Sequence, residues 1–319
     1  MSDVVPAPVR RILAEGAFCH VASLTPAGPH VTPMVFASAA GHVWVTTSRG
    51  SVKARAWRRD PRVAGMVRSG DRAAAFTGTV TTYDLLDTDT WGRSVAQGPV
   101  LGLAGFRFTQ KNARFFAGYA MDAHHIPLAW TPPGRVFAEI RVERSAIVES
   151  GRVASAWGDW GDTLDGVERF RAARAGASPL ADVPDRIRDG AGSSGEGALA
   201  IGTDVGPVVL PVRWAIEGAR AYAVAPSETL ALGAPSRDPE VALQVDLPSS
   251  WWRARAMLGA MLRGSGQVAV VSGLASGAGS ATRIARLAGV EPSDAALVGI
   301  RPATVVWWRG WTSGTVSPG

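Results

Sequence analysis

The chain repeats itself. Gly28-Pro29 recurs as Gly206-Pro207, Pro33 as Pro211 and Arg59-Asp60-Pro61 as Arg237-Asp238-Pro239; 206 − 28, 211 − 33 and 238 − 60 all give 178. At that displacement, with no gap from residue 19 to 67, there are 14 identities in 49 positions. Average residue usage would give roughly four or five. Aromatic positions agree too, Phe36 with Trp214 and Trp44 with Tyr222. Later the displacement changes, as loops of unequal length require, and Phe137-Ala138-Glu139-Ile140-Arg141 corresponds to Leu297-Val298-Gly299-Ile300-Arg301. Two copies of one folded unit follow, and 319 residues are enough for two cores. The division is a first copy at 1–157, a joining segment with a helix at 158–195 and a second copy at 196–319. The first part of the joining segment can be helical, and its Gly/Ser end reads as a flexible lead-in.

Local patterning gives the unit its class. In the first copy, 9–14 suits a short helix and 18–24 a strand; Thr25-Pro26-Ala27-Gly28 is turn chemistry. Strands are predicted at 29–38 and 41–47, a helix at 52–59 stopped by Asp60-Pro61, and strands at 62–67 and 73–83. A longer irregular and helical stretch (85–134) precedes a last pair of strands within 135–157. Pro33 points to a sheet edge or a break, because proline cannot donate to the ladder. The prediction is a mainly β fold with helices, a small closed or partly closed barrel built twice.

Composition removes several classes of function. No apolar run approaches the roughly 20 residues needed to span a bilayer, so no membrane partner is expected. The N-terminal segment reads as a short helix, since no apolar stretch follows its arginine pair. Cys19 is the only cysteine, which rules out an intramolecular disulfide and fits a reducing, cytoplasmic setting. Its apolar surroundings, Phe18-Cys19-His20-Val21-Ala22, favour a buried strand position over a nucleophile. The net charge of +6 is almost all arginine, with Lys53 and Lys111 the two lysines. These arginines are scattered rather than striped, which favours a site for a small anion over a nucleic-acid surface.

The chemistry concentrates in Thr46-Thr47-Ser48-Arg49-Gly50-Ser51-Val52-Lys53. The stretch runs from strand through a glycine-containing loop to a helix start, where free N–H groups and the helix dipole attract phosphate. Ser51 can cap the helix or donate to a phosphate oxygen; Arg49 and Lys53 bring charge. An ordinary capped surface helix has the same local pattern. Two observations favour the site. One of only two lysines stands here, and the second copy loses the set, Arg49 becoming Ser227, Ser51 Thr229 and Lys53 Ala231.

The pattern HVTPMVF, hairpin, HVWVTTSRGSVKARAWRRDPRVAGMV, then AAAFTGTVTTYD resembles the pyridoxamine 5′-phosphate oxidase-like FMN-binding split barrels, which include actinobacterial flavin/deazaflavin oxidoreductases. The resemblance covers roughly residues 8–150, and 195–312 as a degenerate copy. It implies two tandem split β-barrels forming an intramolecular pseudo-dimer, with a flavin in the groove between them. It also implies that Ser51, Arg49 and Lys53 contact the phosphate. The strand Val31-Thr32-Pro33-Met34, with Thr46 and Thr47, would line the ring system, and Ser48 and Val52 complete the loop. Trp307, Trp308 and Arg309 are candidates for the opposite wall, or tryptophans packed in the domain interface. The implied function is an FMN-dependent oxidoreductase acting on a small molecule, the alternative cofactor being the deazaflavin F420, whose charged tail also suits Arg55. The single chain would be a monomer, or pair further as a homodimer.

A flavin carries redox chemistry itself, and no catalytic residue is nominated. His124 or His125 in the insertion could approach a substrate or a haem iron, which gives a tetrapyrrole-binding alternative. A protein with no redox-active ligand is another. Beside them Asp122 does not complete a metal site. The insertion aromatics Trp91, Phe106, Phe108, Phe115, Phe116 and Tyr119 read as packing for a barrel cap and as the place for substrate specificity.

Overall fold

Turns with small residues set the strand order in a computed structural model, which describes residues 5–121, 134–170, 176–247, 257–310 and 312–318. Helix α1 (Ala7–Glu15) buries Val9, Ile12 and Leu13. Strands β1 (Cys19–Thr25) and β2 (Gly28–Met34) then form a hairpin. Gly28 takes φ +90°, which an L side chain resists, and the Thr25 hydroxyl donates to its carbonyl at 2.7 Å. There follow β3 (Phe36–Ala39), β4 (His42–Ser48), α2 (Val52–Arg59), β5 (Arg62–Ser69) and β6 (Arg72–Tyr83). Helices α3 (Trp91–Ala96), α4 (Gly98–Lys111) and α5 (Ala113–Met121) form the insertion, before β7 (Arg135–Glu149) and β8 (Arg152–Trp157).

The strand order is β2-β1-β5-β6-β7-β4-β3, with β8 on β7. The single strand expected at 29–38 is two strands separated at Val35, β2 pairing with β1 and β3 with β4. Pro33 adds no donor near this bend, and the two halves serve opposite ends of the sheet. That is the split.

The second copy repeats this plan. After α6 (Asp185–Ala191) come β9 (Ser194–Thr203), β10 (Gly206–Glu217), β11 (Arg220–Pro226), α7 (Ser227–Ala231), β12 (Glu240–Asp246) and β13 (Leu258–Val270). Then come α8 (Ala278–Ala288), β14 (Ala295–Arg309) and β15 (Thr312–Val316). Displacing β4 by 178 gives the bounds of β11, and displacing β7 by 160 gives those of β14. Here the counterpart of β2 and β3 is one unbroken strand, β10, and β11 pairs with β14 to close the barrel. The helix of the joining segment lies near its end, and the Gly/Ser stretch expected to be flexible opens β9. Pairing with β10 from Ser194 onward supplies the order that composition alone does not.

The barrels meet through a cluster of small residues. Ala22, Val31 and Ala64 of the first pack with Ala200, Val209 and Ala242 of the second, which are their own counterparts at 178. A Cβ on Gly28 would lie 3.0 Å from Glu240 Oε2, and one on Gly206 3.1 Å from Arg62 Cβ. Residue 62 plus 178 is 240, so the contacts are reciprocal, as an internal two-fold axis requires.

Candidate functional site

The loop before α2 is held by its own side chains. The Ser51 hydroxyl caps the helix by accepting from Ala54 N–H at 3.1 Å and accepts from the Thr47 hydroxyl at 3.0 Å. Ser51 N–H donates to Ser48 O and Arg49 N–H to Gly134 O. Val52 is exposed at the first turn, where backbone N–H groups have no partner within the helix.

Lys53 points inward from this turn and is 4% exposed. Its Nζ donates to Thr32 Oγ1 on β2 at 2.6 Å. Burial pulls the ammonium down to about 7. No carboxylate among the described residues is paired with it, so the charge is desolvated and left largely uncompensated, which is costly. Cys19 itself is buried, and the same loss of solvent pushes its thiol up to about 12. It stays protonated and is no nucleophile at neutral pH.

Arg49 is differently engaged. Its Nε lies 2.9 Å from Asp84 Oδ2, and its Nη2 donates to Leu86 O at 3.1 Å. Arg58 reaches the same carboxylate at 3.7 Å. Asp84 is buried at the end of β6 and also accepts from Leu86 N–H. Sequence reasoning missed Asp84, because its contact with Arg49 spans 35 residues and no local pattern marks it. Thr46 is also committed: its hydroxyl donates to Val136 O and accepts from Arg135, whose Nη2 donates to Thr46 O. Thus Thr32, Thr47, Ser51 and Lys53 form two adjoining hydrogen-bonded pairs, and Arg49 and Thr46 turn to other partners. Pro33 is half-buried on β2, and Met34 is buried in the first core.

The counterpart in the second copy is used otherwise. A cavity of about 350 Å³ is lined there by Pro211, Val212, Val224, Ala225 and Pro226, which correspond at 178 to Pro33, Met34, Thr46, Thr47 and Ser48. The second copy's equivalent of the 48–53 loop is a latch for the β7–β8 turn of the first barrel. The Thr229 hydroxyl donates to Gly151 O at 2.6 Å, Val153 N–H donates to Glu228 Oε1 at 3.3 Å, and Arg152 pairs with Asp294 at 2.7 Å. No cation stands where Lys53 stands in the first copy; Ala231 does.

The remaining sequence candidates separate. Trp308 packs on the interface cluster and Trp307 on the second core, while Arg309 is exposed. Phe108 and Phe115 pack beneath the insertion, and Trp91, Phe106 and Phe116 are exposed. Asp122, His124 and His125 lie outside the described residues. Among the described residues no cluster could hold a metal ion, and no helix is long and apolar enough to cross a membrane.

Comparison with known proteins bears on this arrangement. No curated protein matches the chain. Among solved structures, a conserved hypothetical protein from Mycobacterium tuberculosis is 22% identical, the match covering 47% of this chain and 89% of that one at a TM-score of 0.33. A pyridoxamine 5′-phosphate oxidase-related, FMN-binding protein from Nostoc punctiforme is 14% identical, covering 46% and 86% at 0.33. An FAD-binding protein from Mesorhizobium loti is 17% identical, covering 45% and 94% at 0.32. The family model described as pyridoxamine 5′-phosphate oxidase matches residues 6–83. That span holds α1, all strands from β1 to β6, and the loop that carries Ser51 and Lys53, so the first barrel, over those residues, is similar to the pyridoxamine 5′-phosphate oxidase family.

Proposed function

We propose that the first barrel binds the phosphate-bearing tail of FMN and that the chain is a flavin-dependent oxidoreductase acting on a small molecule. The observation that carries this is Lys53, a buried ammonium with a neutral hydroxyl as partner, at the start of a helix. A phosphate is the group that such an arrangement lacks. It would accept from Lys53, from the Ser51 hydroxyl, whose hydrogen is free while Thr47 donates to its oxygen, and from the first-turn N–H groups, and would restore the charge on Lys53. When bound, the flavin supplies hydride or electron transfer through its ring. The protein's part is to hold the tail, to place the ring along Thr32, Pro33 and Met34, and to keep water out with the second barrel. Arg49 stays with Asp84 or turns to the phosphate. On this reading 1–157 and 196–319 are the two walls of one groove, joined by 158–195, and the protein works as a monomer.

The test is the absorbance spectrum of the purified protein followed by titration with FMN and with F420. FMN binding that Lys53→Ala weakens about tenfold or more, about 1.4 kcal/mol, supports the reading. Affinity for FMN that Lys53→Ala leaves unchanged overturns the phosphate assignment. A protein that binds F420 and not FMN replaces the cofactor, and a Soret band replaces the class.

A further inference from the structure

The insertion between β6 and β7 concentrates apolar exposure. Of eleven large hydrophobic side chains exposed among the described residues, eight lie between 85 and 121, including Val95 at 80%, Phe106 at 64% and Trp91 at 53%. A monomer's surface scatters such residues singly, and a cluster marks an interaction face. Helix geometry accounts for its outward side. Helix α4 buries Ala104 and Phe108 against the first barrel, which leaves Leu103 and Phe106, three apart, together on the outside. In α3, Trp91 and Val95 are four apart, and no residue of that helix is buried.

Charge selects the occupant. Asp87 and Asp89 stand in the turn before α3, and from there to residue 121 there is no Asp or Glu, but there are Arg93, Arg107, Lys111 and Arg114. Lys111 is drawn inward, donating to Leu13 O at 2.6 Å and lying 3.4 Å from the Phe36 ring centroid. The three arginines are exposed, and among the described residues no carboxylate pairs with them. A second copy docked on this face through a two-fold axis would bring three arginines toward three arginines. An anionic lipid surface satisfies both halves of the face. Its headgroup region takes tryptophan, phenylalanine and leucine, and its phosphates take guanidinium groups.

We propose that α3 and α4 seat the protein on an anionic lipid surface, with Trp91, Val95, Leu103 and Phe106 entering the headgroup region and Arg93, Arg107 and Arg114 on the lipid phosphates. The sequence carries no expectation of a membrane partner because no segment spans a bilayer. Lying on one makes a different demand, a short helix with an apolar side and a cationic rim, and it does not depend on the cofactor.

Co-sedimentation of the full chain with phosphatidylcholine vesicles, with and without phosphatidylglycerol, tests this. The expected result is binding to the phosphatidylglycerol vesicles that weakens with added salt. Leu103→Ser/Phe106→Ser and Arg93→Glu/Arg107→Glu, each checked for an unchanged circular dichroism spectrum, should lose about tenfold or more in partitioning. Brominated lipid should quench the wild-type tryptophan emission more than that of Trp91→Phe. Equal sedimentation with and without vesicles overturns the proposal. So does a concentration-dependent dimer that Leu103→Ser/Phe106→Ser abolishes, which would assign the face to a second copy.

Discussion

Both lysines of an arginine-rich chain are withdrawn from solvent, and the choice has a physical basis. An arginine keeps its proton at any ordinary pH, whereas a lysine can lose it when buried. Burial pulls Lys53 down to about 7 and Lys111 to about 8. The unfolded chain holds both protons to about 10.5. Above pH 7 the unfolded state therefore binds more protons than the fold, and stability rises with pH. From about pH 9 Cys19, held protonated to about 12 in the fold, acts in the opposite sense and reduces the slope, and the rise ends near pH 10.5, where the unfolded lysines lose their protons. Denaturant melts of the cofactor-free protein at pH 7 and pH 9 should show this rise, and Lys53→Met should flatten it. The proposed phosphate binding would have the reverse dependence, because it needs the ammonium. Affinity for FMN should fall between pH 7 and 9, by at most tenfold per unit, and isothermal titration at the two values checks it.

At the scale of elements, the two copies share a bulge that no expectation from patterning contained. The β6–β7 ladder shifts register at Thr77/Gly78, and the β13–β14 ladder at Arg263/Gly264. In each, a glycine faces a carbonyl: a Cβ on Gly78 would sit 1.9 Å from Arg141 O, and one on Gly264 2.0 Å from Arg301 O. The bulge bends the long strands so that the sheet can curl, and only glycine fits. Gly78→Ala should cost about 2–3 kcal/mol, as overpacking a tight site does. Gly102→Ala in α4 meets open space and should stabilise by about 0.5–1 kcal/mol. Equal effects of the two in urea denaturation would contradict the argument. The long insertion was legible as helical and aromatic, but not which aromatics turn inward, since that depends on the barrel wall beneath them.

For the whole molecule, the interface is a continuation of the cores. Ala75, Ala146 and Val148 of the first sheet join the cluster that fills the second barrel. Arg68 of β5 donates to Gly197 O at 2.6 Å and to Val212 O at 3.2 Å across the boundary. Two units joined in this way should unfold in one calorimetric transition; two separated transitions would show that the boundary is weaker than its packing implies. Thr229→Val should lower stability by about 1–3 kcal/mol, because Gly151 O loses its buried donor, without changing affinity for FMN at the first groove. A matched loss of affinity would mean that the latch also shapes the site at Lys53.

The sequence by itself determined the duplication, the mainly β class, the turn at Gly28 and the helix over 52–59. Each is set by residues close in the chain, or by a spacing that survives copying. Of the 14 identities, Ala22, Val31 and Ala64 turn out to lie where the barrels meet, so the repeat preserved the interface as well as the turns. Only the tertiary structure decided which charges are spent. Asp84 takes Arg49 from far along the chain, Thr32 meets Lys53 across two elements, and Gly151 fills the second copy's loop. Electrostatics and desolvation depend on distance in space, and a strand order is needed before that distance exists.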